Sequence, residues 1–127
     1  MIKEKLTITL SVAYNTLNYV VLENVLSENV KYESQNVMTP IIGKNNLLIL
    51  LKGKFNTIKN SGNTVYAEIG HLHGDKAKPC IILSQGTKEN KGALVYVEVE
   101  ERKISAINIC TLAPHWSTAI PTGEYPA

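Results

Sequence analysis

The chain has 127 residues, of which 44% are hydrophobic and 19% charged, with a formal net charge of +2. This length predicts a single domain over residues 1–127, and the small net charge without a basic stripe argues against a nucleic-acid-binding protein. The longest apolar run, Leu47–Leu51, is too short to cross a bilayer, and the first residues lack the pattern of a signal peptide. We therefore expect a soluble protein without membrane insertion.

The N-terminal third offers one clear pattern and one ambiguous one. Leu6–Tyr14 carries apolar residues at every even position, which predicts a half-buried strand. Asn15–Asn18 then favours a turn, because asparagine readily adopts turn conformations. Tyr19–Leu26 is rich in β-branched residues and favours a strand, although a short helix fits the same apolar spacing. Val30–Glu33 predicts a further short strand.

The middle of the chain indicates three more strands separated by turns. Leu47–Leu51 is apolar on both faces, so a strand here must be covered on both sides. A second subunit could supply that cover, and so could a loop of the same chain. Thr64–Ile69 predicts the next strand, and Cys80–Leu83 predicts a short, fully apolar one.

The last third predicts a β-hairpin followed by an extended tail. Ala93–Val99 and Ile104–Thr111 are apolar, β-branched runs, and Glu100–Lys103 between them is a tight polar turn. Counted along the chain, the pattern gives about seven to eight short strands. The predicted fold class is therefore all-β, a compact antiparallel sandwich or barrel.

His71, His73 and Asp75 form the sharpest local cluster of metal-ligating residue types. In an extended chain these alternate positions share one face, and zinc accepts imidazole and carboxylate ligands. The surrounding Gly74 and Pro79 instead favour an exposed polar loop with two solvated histidines. We keep these three residues as weak candidates and otherwise expect no metal and no cofactor.

The two cysteines, Cys80 and Cys110, both lie in apolar runs. Two cysteines make no disulfide framework, and apolar surroundings predict buried, reduced thiols. A pairing of either thiol with His71, His73 or His115 would give a nucleophile and its base. Burial would make such a thiol unreactive, so no catalytic residue is assigned.

Trp116, the single tryptophan, stands beside His115 in a segment between two prolines. An aromatic side chain with a polar tip on a loop suits recognition of a sugar or a protein. The alternative is that the indole closes one end of the sheet structure, because tryptophan is usually largely buried.

From residue 46 onward the order of features resembles the C-terminal head domain of phage receptor-binding proteins, found in the baseplates or tail fibres of phages that infect Gram-positive bacteria. The resemblance lies in the apolar run before Gly53, in the strands described above and in the terminal run Thr122–Pro126. Residues 1–45 have no counterpart in it and are expected to form additional N-terminal strands.

The resemblance implies a non-enzymatic binding module, a homotrimeric β-barrel that recognises a host cell-surface saccharide. It implies ligand contacts at Trp116, His115 and Tyr125, and a location at the virion tail tip or in the host cytoplasm before assembly. Two alternatives stay open. One is a small phage or bacterial interaction or counter-defence protein that binds a ligand or partner between subunits. The other is a metal-dependent enzyme that uses His71, His73 and Asp75.

Overall fold

The computed structural model describes residues 2–35, 39–111 and 118–127. In this part of the chain, two α-helices and one turn of 3-10 helix accompany a mixed sheet of seven strands. In chain order the elements are α1 (Ile2–Thr16), the 3-10 turn (Tyr19–Leu22), β1 (Leu26–Ser34), β2 (Ile41–Ile42), α2 (Lys44–Asn60), β3 (Val65–Leu72), β4 (Pro79–Gln85), β5 (Lys91–Glu100), β6 (Lys103–Cys110) and β7 (Ala119–Pro121). The prediction of a mainly β protein is confirmed only in that coarse sense, because the fold is α+β and not all-β.

The seven strands form one sheet in the order β2-β1-β6-β5-β4-β3-β7. Strands β1 and β6 are parallel, and every other neighbouring pair is antiparallel. The two helices lie on one face of this sheet, where α1 contacts β3, β4 and β5 and α2 contacts β1 and β2. The molecule therefore has a helical layer over a sheet, not two packed sheets.

Helix α1 occupies the stretch that was predicted as the first strand, and that prediction is wrong. Leu6, Leu10 and Tyr14 follow each other at intervals of four, so they lie on one helical face and are buried against the sheet. The buried face also contains Thr7 and Ser11, whose hydroxyls donate to carbonyls of the preceding turn at 2.8 and 2.6 Å. Because the helix itself satisfies these hydroxyls, they are buried at low cost.

Helix α2 contains Leu47–Leu51, which was predicted as a strand covered on both faces. The prediction is wrong because the helical period buries only Leu47, Leu51 and Phe55. Ile49 is 70% exposed. The apolar run thus supplies one buried stripe, and the inference that a second subunit covers its other face loses its basis. The expected homotrimer stays a prediction.

The 3-10 turn replaces the strand predicted for Tyr19–Leu26, and β1 begins only at Leu26. Asn18 starts this turn, since its side-chain oxygen accepts a hydrogen bond from the amide of Val20 at 3.0 Å. The short helical alternative was therefore closer to the observed structure.

The later strands are confirmed. The predicted strands over Val30–Glu33, Thr64–Ile69 and Cys80–Leu83 lie within β1, β3 and β4 apart from Thr64. The hairpin of β5 and β6 turns at Glu101 and Arg102, both of which have positive φ angles, 49° and 67°. Positive φ at both central residues matches the right-handed twist of the flanking strands.

The main core fills the space between the helices and the sheet. A second, smaller buried cluster includes Cys80, Ile82, Leu94 and Cys110 of β4, β5 and β6. Along the described part of the chain, neither helix is long and apolar enough to span a lipid bilayer.

One edge of the sheet, at β3, is completed by three different groups. Strand β7 pairs with the end of β3 from Gly70 to Leu72. The tail continues along the edge, where Ile69 donates to the carbonyl of Glu124 at 2.9 Å and accepts from the amide of Thr122 at 3.0 Å. The side chain of Asn15, at the end of α1, bonds to both backbone groups of Ala67.

Candidate functional site

A cavity opens at one end of the sheet, beneath α2. Strands β1, β4 and β6 end there, and β3 and β5 begin there, because β1 and β6 run parallel while the remaining neighbours alternate. The cavity has a volume of about 820 Å³, within the usual range for small-molecule sites. Topology alone thus gathers five strand termini around one space.

The wall of the cavity is mostly apolar. It is formed by aliphatic and aromatic side chains from α2 and from the strand ends, namely Ile49, Leu50, Phe55, Ile58, Val65, Leu83, Ala93 and Ile109. Gly53 and Gly92 contribute backbone atoms only. A Cβ atom at either position would meet no other atom within 4 Å, so there is free space beside both glycines. An apolar wall of this size favours a molecule with a hydrocarbon body.

The polar groups in the wall include a lysine–tyrosine pair. Lys54 on α2 donates from Nζ to the hydroxyl of Tyr32 on β1 at 3.1 Å, and the same ammonium lies 5.4 Å from the centroid of that ring. Tyr32 is only 3% exposed. Since its hydroxyl accepts from Lys54, its own proton can be donated to another acceptor.

Tyr14 of α1 provides a second phenol in the wall. Its ring packs edge-to-face on Phe55, with centroids 5.6 Å apart, and the residue is 8% exposed. Burial, with a smaller contribution from neighbouring Tyr32, raises the pKa of Tyr14 far above its usual range. The phenol therefore stays protonated at neutral pH and is available as a hydrogen-bond donor.

The charge in the cavity has one sign. Among the described residues of the wall, Lys54 is the single charged side chain, and none of them is Asp or Glu. Its ammonium makes no ion pair with a described residue, since the two ion pairs of the described chain involve Lys31 and Lys44. The arrangement can hold or polarise an oxygen atom, because donors and a cation stabilise negative charge on it.

The candidate metal cluster is not formed. His71 pairs in the sheet with Pro79 and Ile120, His73 is exposed at the following turn with a φ of 54°, and Asp75 accepts from the amide of Ala77 at 2.9 Å. No group of three or more His, Cys, Asp or Glu side chains that could hold a metal ion occurs among the described residues. The metal-dependent alternative therefore has no site in the described chain.

Tyr125 lies on the tail, outside the wall of the cavity. Its ring packs edge-to-face on Tyr66 at 6.4 Å, and the ammonium of Lys88 is 4.4 Å from its centroid. Burial and the nearby Glu68 carboxylate raise the pKa of Tyr125. These contacts attach the tail to β3, so the structure gives Tyr125 a packing role, while its role in ligand binding stays a prediction. Trp116 and His115 lie outside the described residues.

Both cysteines are buried and free, as predicted. They lie on β4 and β6, which are separated by β5. Burial raises the pKa of the Cys80 thiol to about 11, which removes the thiolate needed for nucleophilic chemistry.

We expect Cys80 to resist thiol reagents while the protein is folded. With a pKa of about 11, only about one molecule in a thousand carries the thiolate at pH 8. In a Cys110→Ala variant, a chromogenic disulfide reagent should leave the native protein unlabelled during the time in which the urea-unfolded protein reacts fully. Labelling of the native variant at the rate of a free thiol would contradict the buried position of Cys80.

Three polar residues of the site, Tyr14, Tyr32 and Lys54, were not identified as candidates from the sequence. Tyr14 and Lys54 stand in or next to stretches that were interpreted as strands. The helix faces on which they lie therefore could not be recognised. The signal that could have found Tyr14 is its spacing of four from Leu10 and eight from Leu6, which is the spacing of a helix face.

No protein-family model matches the sequence, and no curated protein is significantly similar to it. Solved structures do match the fold. An NTF2-like protein of unknown function from Mesorhizobium loti is 10% identical with a TM-score of 0.67, covering 88% of this chain and 92% of that one. A candidate ketosteroid isomerase from Kribbella flavida is 16% identical with a TM-score of 0.58, covering 85% and 78%. A LEH-like epoxide hydrolase from M. tuberculosis is 12% identical with a TM-score of 0.57, covering 89% and 86%.

These neighbours correct the resemblance on which the expected function was based. The resemblance to phage receptor-binding heads is wrong, because similar solved structures include an NTF2-like protein and because Leu47–Leu51, one of the segments behind the resemblance, belongs to a helix. The expectation of a non-enzymatic saccharide-binding module is wrong with it, since two of these neighbours are named as enzymes. The alternative of a small phage or bacterial interaction or counter-defence protein is not supported by these neighbours either. The chain has the NTF2-like α+β cone fold.

Proposed function

We propose that the cavity beneath α2 binds a largely apolar small molecule that carries an oxygen atom. The cavity would hold the molecule by this oxygen and stabilise negative charge on it. The observation that carries the proposal is the hydrogen bond between Lys54 and Tyr32 in an otherwise apolar wall. Concave apolar sites with a few convergent polar groups are the usual form of small-molecule sites. The hydrocarbon body would contact the aliphatic wall, and the oxygen would face the lysine–tyrosine pair.

Such a site favours a ligand oxygen that carries negative charge, either as a bound anion or as a carbonyl oxygen that gains the charge in a reaction. Fixed donors lower the energy of that charge without further reorganisation. Tyr32 and the protonated Tyr14 are such donors, and Lys54 adds a full positive charge. Both enzyme names among the structural neighbours, a ketosteroid isomerase and an epoxide hydrolase, denote enzymes that act on oxygen-bearing organic molecules, which supports the same reaction class for this chain.

A bulky side chain at Gly53 is expected to block the cavity. A Cβ atom built at Gly53 meets no other atom within 4 Å, so Gly53→Phe can be accommodated without a backbone clash, and its ring would occupy the open part of the wall. We expect the affinity for a neutral, environment-sensitive dye such as Nile red to fall by about tenfold or more, because the ring removes apolar surface from the site. Fluorescence titration measures the change.

The matched control introduces the same side chain one position earlier. Lys52 is exposed on α2 and does not line the cavity, so Lys52→Phe should bind the dye like the unmodified protein. Circular dichroism verifies that both variants fold. Equal dye binding by Gly53→Phe and the unmodified protein would show that the dye binds elsewhere and would contradict the proposed site.

A further inference from the structure

We infer that the oxygen recognised in the cavity belongs to a carboxylate, so that the ligand is an amphipathic monocarboxylic acid with a hydrocarbon body. The inference rests on the proposed function, because it names the chemical class of the molecule that the same cavity takes. Three independent features of the wall lead to it: its charge, its donors and its apolar extent.

The charge argument concerns Lys54. Its ammonium is the one charged group among the described wall residues, and no carboxylate of the described chain neutralises it. Its single hydrogen bond in the described chain goes to the neutral oxygen of Tyr32. An anionic ligand gains Coulomb energy at such a position, whereas a neutral alcohol or ester gains only an ordinary hydrogen bond.

The donor argument concerns Tyr14. Its phenol is nine-tenths buried and lines the cavity, yet its hydroxyl forms no hydrogen bond with any residue that the structure describes. A buried hydroxyl without a partner costs free energy that an acceptor on a ligand would return. A carboxylate has two oxygens, so one can accept from Lys54 and Tyr32 while the other accepts from Tyr14.

The remaining wall fits a hydrocarbon chain and not a second charge. Beyond these three residues, the polar wall groups of the described chain are uncharged Ser, Thr and Gln side chains, and the buried Ser84 already donates to the carbonyl of Lys88 at 3.0 Å. A molecule with charge at both ends would have to bury one charge among Phe55, Ile58 and Leu83 without a partner, which is strongly unfavourable. One charged end and one apolar body is therefore the complementary shape.

Three probes of equal chain length separate the charge from the hydrocarbon: decanoate, 1-decanol and methyl decanoate, each below its aggregation concentration. Isothermal titration calorimetry with the full chain at neutral pH measures their dissociation constants. We expect decanoate to bind about tenfold or more tightly than either neutral probe, which is the usual effect of one charge-assisted hydrogen bond.

Variants assign this preference to the named groups. Lys54→Met and Tyr14→Phe should each weaken decanoate binding by about fivefold or more, and should weaken 1-decanol binding less, because the alcohol loses only an ordinary hydrogen bond. Lys54→Arg retains the positive charge and should retain the preference for decanoate. Lys52→Met removes a lysine of the same helix that does not line the cavity and should leave decanoate binding unchanged.

The outcomes separate the inference from the function on which it rests. If decanoate and 1-decanol bind with equal affinity in the cavity, or if Lys54→Met retains the preference, the carboxylate inference is wrong and the proposed apolar site stands. If none of the three probes binds, and Nile red does not bind either, the proposed function is wrong together with the inference. Loss of the preference in Lys54→Met, but not in Lys52→Met, supports both.

Discussion

Replacing Phe55 with alanine is expected to lower the free energy of unfolding by about 3–5 kcal/mol. Phe55 is 2% exposed, belongs to the main core and packs edge-to-face on Tyr14. Its removal forfeits the transfer energy of the ring and leaves a hole that the helix and sheet cannot close fully. Urea unfolding followed by far-ultraviolet circular dichroism measures the loss as a lower midpoint with an unchanged slope.

Ile49→Ala on the same helix is the matched control. Ile49 is largely exposed, so its truncation should change the stability by no more than about 0.5 kcal/mol. Similar losses for the two variants would mean that α2 does not bury the stripe of Leu47, Leu51 and Phe55. The same Phe55→Ala variant also enlarges the cavity, so a ligand longer than decanoate should gain affinity relative to decanoate in Phe55→Ala compared with the unmodified protein.

The second large effect is expected at Asn15. Its amide nitrogen donates to the carbonyls of Ala67 at 2.9 Å and Pro126 at 2.6 Å, and its oxygen accepts from the amide of Ala67 at 2.7 Å. Asn15→Ala removes all three bonds and leaves partly buried backbone groups unsatisfied. We expect a loss of about 2–3 kcal/mol, measured by urea unfolding.

Thr16→Ala provides the comparison at the same end of α1. The Thr16 hydroxyl is exposed and bonds only to the carbonyl of Val12 in its own helix, so its loss should cost less than about 0.5 kcal/mol. Hydrogen exchange adds a local measurement, since the Ala67 amide should exchange faster in Asn15→Ala and keep most of its protection in Asn15→Asp, which retains an acceptor oxygen. Equal stability of the Asn15→Ala and Thr16→Ala variants would contradict the role of Asn15 as a clamp.

The longer strands of the fold could be predicted from the sequence, and the two helices could not. The β5–β6 hairpin has β-branched runs around a polar turn, and such local signals do not depend on the rest of the chain. Leu6–Tyr14 satisfies the period of a strand and, through Leu6, Leu10 and Tyr14, also the period of a helix. Only the sheet beneath it, built from residues beyond position 60, decides between them, because that sheet offers a surface wide enough for a helix.

The site was harder to predict than the fold for a related reason. Tyr14, Tyr32 and Lys54 stand on α1, β1 and α2, and successive members are 18 and 22 positions apart in the sequence. None belongs to a local motif, and their proximity follows from the sheet order and from the parallel β1–β6 pair. The local cluster that the sequence did indicate is His71 with His73 and Asp75. It lies at a turn, where the Asp75 carboxylate already accepts a hydrogen bond from the amide of Ala77.

The way in which the border of β3 is completed has a consequence for solubility. A strand with unpaired amides and carbonyls is a template on which another chain can add a strand. Here Asn15, the tail and the three residues of β7 occupy those groups between Ala67 and Leu72, while the opposite border is the two-residue strand β2. Among the described residues, the border at β3 is therefore largely covered between Ala67 and Leu72. Loosening the tail should favour intermolecular strand addition and precipitation before global unfolding.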